Sequence, residues 1–136
     1  MSQESMQTAG VLLITVPAIA FGGVTLLRLI WGREPGYLDN PVRQNLWRAG
    51  HAHAGVLVIL ALLGMLYVDQ AGLSRGLEAA TRYALVAAPI LMPLGFFLSV
   101  AAPQSEHPNK LIYLVPLGGL CLVAGSLILG IGLVTA

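Results

Sequence analysis

Long apolar runs separated by short polar connections form the main pattern of this chain. Four such runs, at about residues 8–31, 48–68, 80–101 and 111–134, contain few charged side chains. About 20 consecutive apolar residues suffice for an α-helix to cross the hydrocarbon core of a bilayer. The pattern therefore predicts an all-α membrane protein, with one domain over residues 1–136 folded as a bundle of four transmembrane helices.

Prolines and glycines divide the pattern further. Residues 32–47 form the longest polar connection and contain turn-forming Pro and Gly pairs. Pro89 and Pro93 lie four residues apart in the third run and should bend its helix. The bend either only fits the helix into the bundle or opens a pocket near Phe96 and Phe97. Glycines in the fourth run should let another helix approach it closely.

Composition agrees with a membrane protein. The chain is 57% hydrophobic and 10% charged, its formal net charge is +1, and its mean hydropathy is +0.81. This weak charge gives no reason to expect a nucleic-acid partner. The first residues are not basic and precede no clear cleavage site, so the first run is interpreted as a retained span rather than a signal peptide.

Two histidines stand out at the start of the second run. His51 and His53 lie between small residues, in what should be the first turns of that helix. Ionisable side chains in a transmembrane helix are costly and usually mark a functional site. Residues two apart on a helix point about 200° apart, so the two imidazoles cannot bind one ion from the same helix.

A single histidine beside a bare helix surface suggests a cofactor. Gly50 and Gly55, together with neighbouring alanines, should leave room for another helix or for a flat macrocycle. Haem iron is commonly held by one histidine in such a setting. The alternative is that both histidines only bond to backbone carbonyls across helices.

The connection before these histidines is basic. Arg33, Arg43 and Arg48 could pair with the propionates of a haem, or simply lie at a solvated membrane interface. Arg48 precedes His53 by about 8 Å along the helix axis. The excess of Arg and Lys on this side predicts that the histidine side faces the cytoplasm.

With these motifs placed, the chain resembles the styrene oxide isomerase family along most of its length. The similarity includes the Pro35-Gly36-Tyr37 turn, the step at Gly95-Phe96, and Pro108-Asn109 before the fourth run. It also includes His53-Ala54-Gly55, which fits the family's haem-ligating His-Ser-Gly best.

The resemblance implies a homotrimer of four-helix protomers with haem b at the protomer interfaces, embedded in the lipid of a bacterial cytoplasmic membrane. It assigns iron ligation to His53, with His51 as the competing ligand. In the family, ferric haem acts as a Lewis acid that isomerises a small hydrophobic epoxide to a carbonyl compound. Phe97 would line that reaction site.

The sequence also departs from the family's pattern. Ile59 stands where the family has an asparagine, Phe97 where it has a tyrosine, and Pro89 where it has an acidic residue. The haem-binding motif is therefore similar, whereas the polar groups that position an epoxide are missing. This leaves a second interpretation open, a non-catalytic haem protein for electron transfer, sensing or haem handling.

Overall fold

The computed structural model describes residues 1–136 and is entirely helical. Four long helices are joined by one short helix and by 3₁₀ turns. Their bounds are α1 Gln3–Trp31, α2 Pro35–Leu38, α3 Pro41–Tyr67, α4 Arg75–Leu98 and α5 Leu114–Thr135.

The four long helices make this an integral membrane protein. Each is long and apolar enough to cross a bilayer, which confirms the predicted all-α architecture with four spans. The outer helices leave most of their apolar surface uncovered by the chain itself. Only 11% of the most apolar stretch of α1 and 17% of that of α5 are buried. Lipid or other protein must therefore cover both helices.

Polar caps set where the helices begin. The side chains of Ser2, Asn40 and Ser74 accept hydrogen bonds from backbone N–H groups in the first turns of α1, α3 and α4. Because α3 begins at Pro41, the prediction that its first turns carry the histidines is wrong. His51 lies about 15 Å along the helix from that start.

The central pair of helices is α3 and α4, with α1 packed on α3 and α5 packed on α4. Close approach depends on glycine. A Cβ atom at Gly64 would collide with Leu85 of α4. On α5, Gly118, Gly125 and Gly132 face α4 and the turn that precedes it, as the predicted small-residue face requires. The other glycines of that helix lie on its outer side, where an added methyl group would meet no atom within 4 Å; they are Gly119 and Gly130.

A polar cluster closes the end of the bundle opposite the connection at residues 32–40. Arg82 lies inside α4 rather than in a turn, and only 7% of its side chain is exposed. Its guanidinium pairs with Glu4 at 2.9 Å, Glu78 at 3.2 Å and Asp69 at 3.3 Å. Asp69 also accepts hydrogen bonds from the hydroxyls of Ser2 and Ser5. The cluster thus ties α1, α4 and the end of α3 together.

The cluster gives a stability prediction. Asp69→Asn should lower the free energy of unfolding by about 3 kcal/mol, because it leaves a buried guanidinium short of one anionic partner. Glu4→Gln is the matched control. Because the Glu4 side chain is 76% exposed, this variant should lose less than about 1 kcal/mol of unfolding free energy. Thermal unfolding in detergent measures both, and equal effects would show that burial of the pair is unimportant.

Candidate functional site

The two histidines lie on different faces of α3, as the two-residue spacing predicts. His53 points along the side of α4, where its ring lies 5.1 Å from the ring of Phe96. His51 points towards α1, where its imidazole packs against Gly22 and Gly23. The two side chains therefore belong to separate environments within one chain.

His53 is held by its own helix. Its Nδ1 lies 2.7 Å from the carbonyl oxygen of Ala49, one turn earlier. A carbonyl can only accept, so this contact fixes the proton on Nδ1 and leaves the lone pair on Nε2. Histidines that ligate metals commonly donate their other N–H in this way. The bond lies within α3, and not across helices.

His51 forms part of an apolar cavity of about 360 Å³ between α1, α3 and α4, which we call the His51 cleft. His51 makes no hydrogen bond within the chain, in contrast to His53. Six of the residues that define the cleft are Ile19, Gly22, Ala54, Val58, Pro93 and Phe97. Of the two alternatives for the prolines of α4, a pocket is therefore present beside Pro89 and Pro93, and Phe97 but not Phe96 lines it.

The surroundings of Gly50 differ from the bare helix surface that the sequence predicted. A Cβ atom there would lie 3.0 Å from atoms of both Phe96 and Phe97, so α4 fills the surface that was expected to be bare. Gly55 has open space around its Cα. The small residues next to His53 on the outer surface of α3 are instead Ala49 and the exposed Ala52.

The arginines have distinct surroundings. Arg43 donates to the carbonyls of Gly36 and Ala101 and lies 4.1 Å from the centre of the Trp47 ring, so it joins two connecting segments. Arg48 is exposed and makes no hydrogen bond within the chain. Helical geometry puts Arg48 about 60° from His51 but about 140° from His53.

Sequence reasoning missed the aromatic and polar contacts that support this end of the bundle. Trp47 donates from its indole Nε1 to the carbonyl of Phe97, and its ring packs at a tilt against that of Tyr37, which is almost fully buried. Asn40 donates to the carbonyls of Pro103 and Ser105. The sequence shows Trp47 and the Asn40-Pro41 pair, but it does not show which residues, about 50 or more positions away, accept their hydrogen bonds.

The chain brings together no group of three or more His, Cys, Asp or Glu side chains that could hold a metal ion. A metal bound here would need most of its ligands from elsewhere. A porphyrin supplies four nitrogens of its own, so the single Nε2 of His53 is a sufficient protein ligand for its iron.

Comparisons with protein-family models, with curated proteins and with solved structures found no match for this chain.

The contact between α3 and α4 beside His53 gives a second prediction. Gly50→Ala should lower the thermal midpoint and shift Phe96, because its new methyl group must displace both aromatic side chains. Gly55→Ala is the control on the same helix, with nothing to displace, and it should be neutral or slightly stabilising. The midpoints in detergent and the near-UV circular dichroism report the two effects. A neutral Gly50→Ala variant would contradict the close packing.

Proposed function

We propose that this protein binds haem b through His53 within the membrane and isomerises a small hydrophobic epoxide to a carbonyl compound. The observation that carries the proposal is the His53 Nδ1 to Ala49 carbonyl contact, which leaves Nε2 free to ligate iron. The sequence resemblance to styrene oxide isomerases adds the reaction class. Localisation in a bacterial cytoplasmic membrane is part of the same proposal.

The residues around His53 fit a flat cofactor. Ala49 and Ala52 have short side chains, so they leave space on the helix surface beside the imidazole. Phe96 contacts the imidazole ring from the side of α4 and limits its rotation. The outer surface of α3 next to His53 is apolar and exposed, with Val56 64% and Leu60 38% accessible. A macrocycle on His53 would therefore lie at the edge of the protomer, where a second copy could cover it.

This location supports a homotrimer with haem between protomers. The exposed apolar surface of α1 is available for the same contact. Arg48 points away from the His53 of its own chain, so it would reach the propionates of a haem held by a neighbouring copy. A guanidinium pairs well with a carboxylate at a membrane interface, where an unpaired anion would be costly.

Ferric haem b would supply a Lewis acid for opening the epoxide C–O bond. The protein would hold the iron through His53 and exclude water with the apolar side chains that surround the site. A dry site of this kind strengthens electrostatic stabilisation and protects reactive species from hydrolysis.

A non-catalytic haem protein is the second candidate. Ile59, which stands where the family has an asparagine, is 61% exposed and apolar. Phe97 contributes no hydroxyl, and Pro89 contributes no carboxylate. These substitutions favour electron transfer, sensing or haem handling. A bis-histidine iron, ligated by His53 of one protomer and His51 of another, would suit electron transfer because no coordination position stays open.

The histidine variants test haem binding. His53→Ala should abolish the Soret band of the purified protein, whereas His51→Ala should retain haem, because only His53 has a fixed tautomer. Native mass spectrometry of the haem-loaded form should give a trimer. A wild-type protein without a Soret band after haem loading would refute haem binding altogether.

The spectrum also separates the two candidates. A five-coordinate or water-ligated ferric spectrum supports isomerisation, and a bis-histidine spectrum that His51→Ala converts to five-coordinate supports electron transfer. Loss of haem in His51→Ala alone would mean that His51 is the ligand.

The arginine prediction uses a matched pair. Arg48→Gln should weaken haem retention by about tenfold, the effect of losing one charge-assisted contact to a propionate. Arg75→Gln, at the other end of the bundle, should have no effect on haem. Haem titration followed by absorbance measures both. Equal affinities in the two variants would leave Arg48 as a membrane anchor.

A further inference from the structure

The His51 cleft is open to the bilayer. Its rim includes Val11 of α1, which is 60% exposed, and Ile90 and Leu94 of α4, which are 51% and 42% exposed. α1 packs mainly on α3 and hardly on α4, so the gap between α1 and α4 stays unfilled. A molecule dissolved in the hydrocarbon could therefore enter sideways without crossing water.

Backbone and small residues create the space. Gly22 on α1 and Ala54 on α3 add little volume to the walls. Pro89 and Pro93 lie on the α4 wall of the same cleft, and each lacks the backbone N–H that would complete the helical hydrogen-bond ladder. At about 360 Å³ the cavity is at the small end of the range of ligand pockets, roughly 300–1,000 Å³. It is too small for another helix.

Two polar groups of the residues that line this apolar cleft lack a hydrogen-bond partner. One is the imidazole of His51, which makes no hydrogen bond within the chain. The other is the backbone carbonyl of Pro89, because Pro93 has no N–H to donate to it. A helical carbonyl points towards the nitrogen four residues later, so this oxygen lies next to the Pro93 ring, and both prolines line the cleft. Unpaired polar groups at bilayer depth cost several kcal/mol.

We propose that the His51 cleft binds a small uncharged molecule with an apolar body and one hydroxyl group, taken up from the bilayer. The hydroxyl would accept from the imidazole N–H of His51 and donate to the Pro89 carbonyl, while Phe97 and Val58 contact the body. No Lys or Arg side chain lines the cleft, so a carboxylate there would lack a permanently charged partner and is disfavoured by its desolvation cost. The inference does not depend on haem, because His51 and His53 lie on different faces of α3.

The test uses three matched probes in lipid nanodiscs: 4-fluorobenzyl alcohol, 4-fluorotoluene and 4-fluorobenzoate. Fluorine NMR with saturation transfer from the protein measures their binding. The His53→Ala background removes the proposed haem ligand, so the result is separate from that of the proposed function. The alcohol should bind more tightly than the toluene, and the benzoate should not bind in the cleft.

Four variants locate the binding. Ala18→Trp places a large side chain at the exposed rim of the cleft and should weaken alcohol binding at least tenfold, whereas Ala20→Trp, exposed on the same helix but outside the cleft, should not. His51→Phe keeps the ring volume but removes the polar atoms, so it should weaken alcohol binding by about five- to tenfold and leave toluene binding unchanged. His51→Gln should restore much of the alcohol affinity.

Three outcomes would overturn the inference. Equal binding of alcohol and toluene with no effect of His51→Phe would show that the polar groups are not used. Equal binding in Ala18→Trp and Ala20→Trp would show partition into lipid only. Absence of probe binding to the parent protein would show that the cleft does not take up such molecules from the bilayer.

Discussion

The close approach of α3 to α4 is the constraint on which the rest of the structure depends. Gly50 lets Phe96 and Phe97 pack directly against the α3 backbone, and Gly64 does the same for Leu85. In a bilayer, helices gain little from the hydrophobic effect, so close van der Waals packing carries much of their association. This contact also separates the surroundings of the two histidines, because Phe96 packs beside His53 and Phe97 lines the His51 cleft.

Polar side chains join the helices mainly at the two ends of the bundle. At one end, buried Arg82 gathers three carboxylates from different parts of the chain. At the other, Arg43 and Asn40 donate to backbone carbonyls of the opposite connecting segment. These contacts pair the guanidinium of Arg82 with carboxylates and give Arg43 and Asn40 carbonyl acceptors in distant segments. Between them, the imidazole of His51 has no hydrogen-bond partner in the chain and lines an apolar cleft, and the two facts together make it a candidate binding group.

The two histidines are suited to different tasks. His53 has one nitrogen occupied by a backbone carbonyl and the other free, at a surface that a second protomer could cover. His51 has neither nitrogen engaged and lines a small cleft of one protomer that opens to the bilayer. A ligand site at His53 and a separate cleft at His51 would be compatible in one molecule, since each imidazole uses a different face of α3.

Hydropathy alone was sufficient to determine the four spans, because crossing the hydrocarbon demands about 20 apolar residues whatever the packing. Helical periodicity likewise determined that His51 and His53 diverge. Only the tertiary structure decided that Gly50 is covered by α4 and that Arg82 lies buried among carboxylates. Those features depend on contacts between residues far apart in the chain, and local composition carries no record of which distant side chain fills a given space.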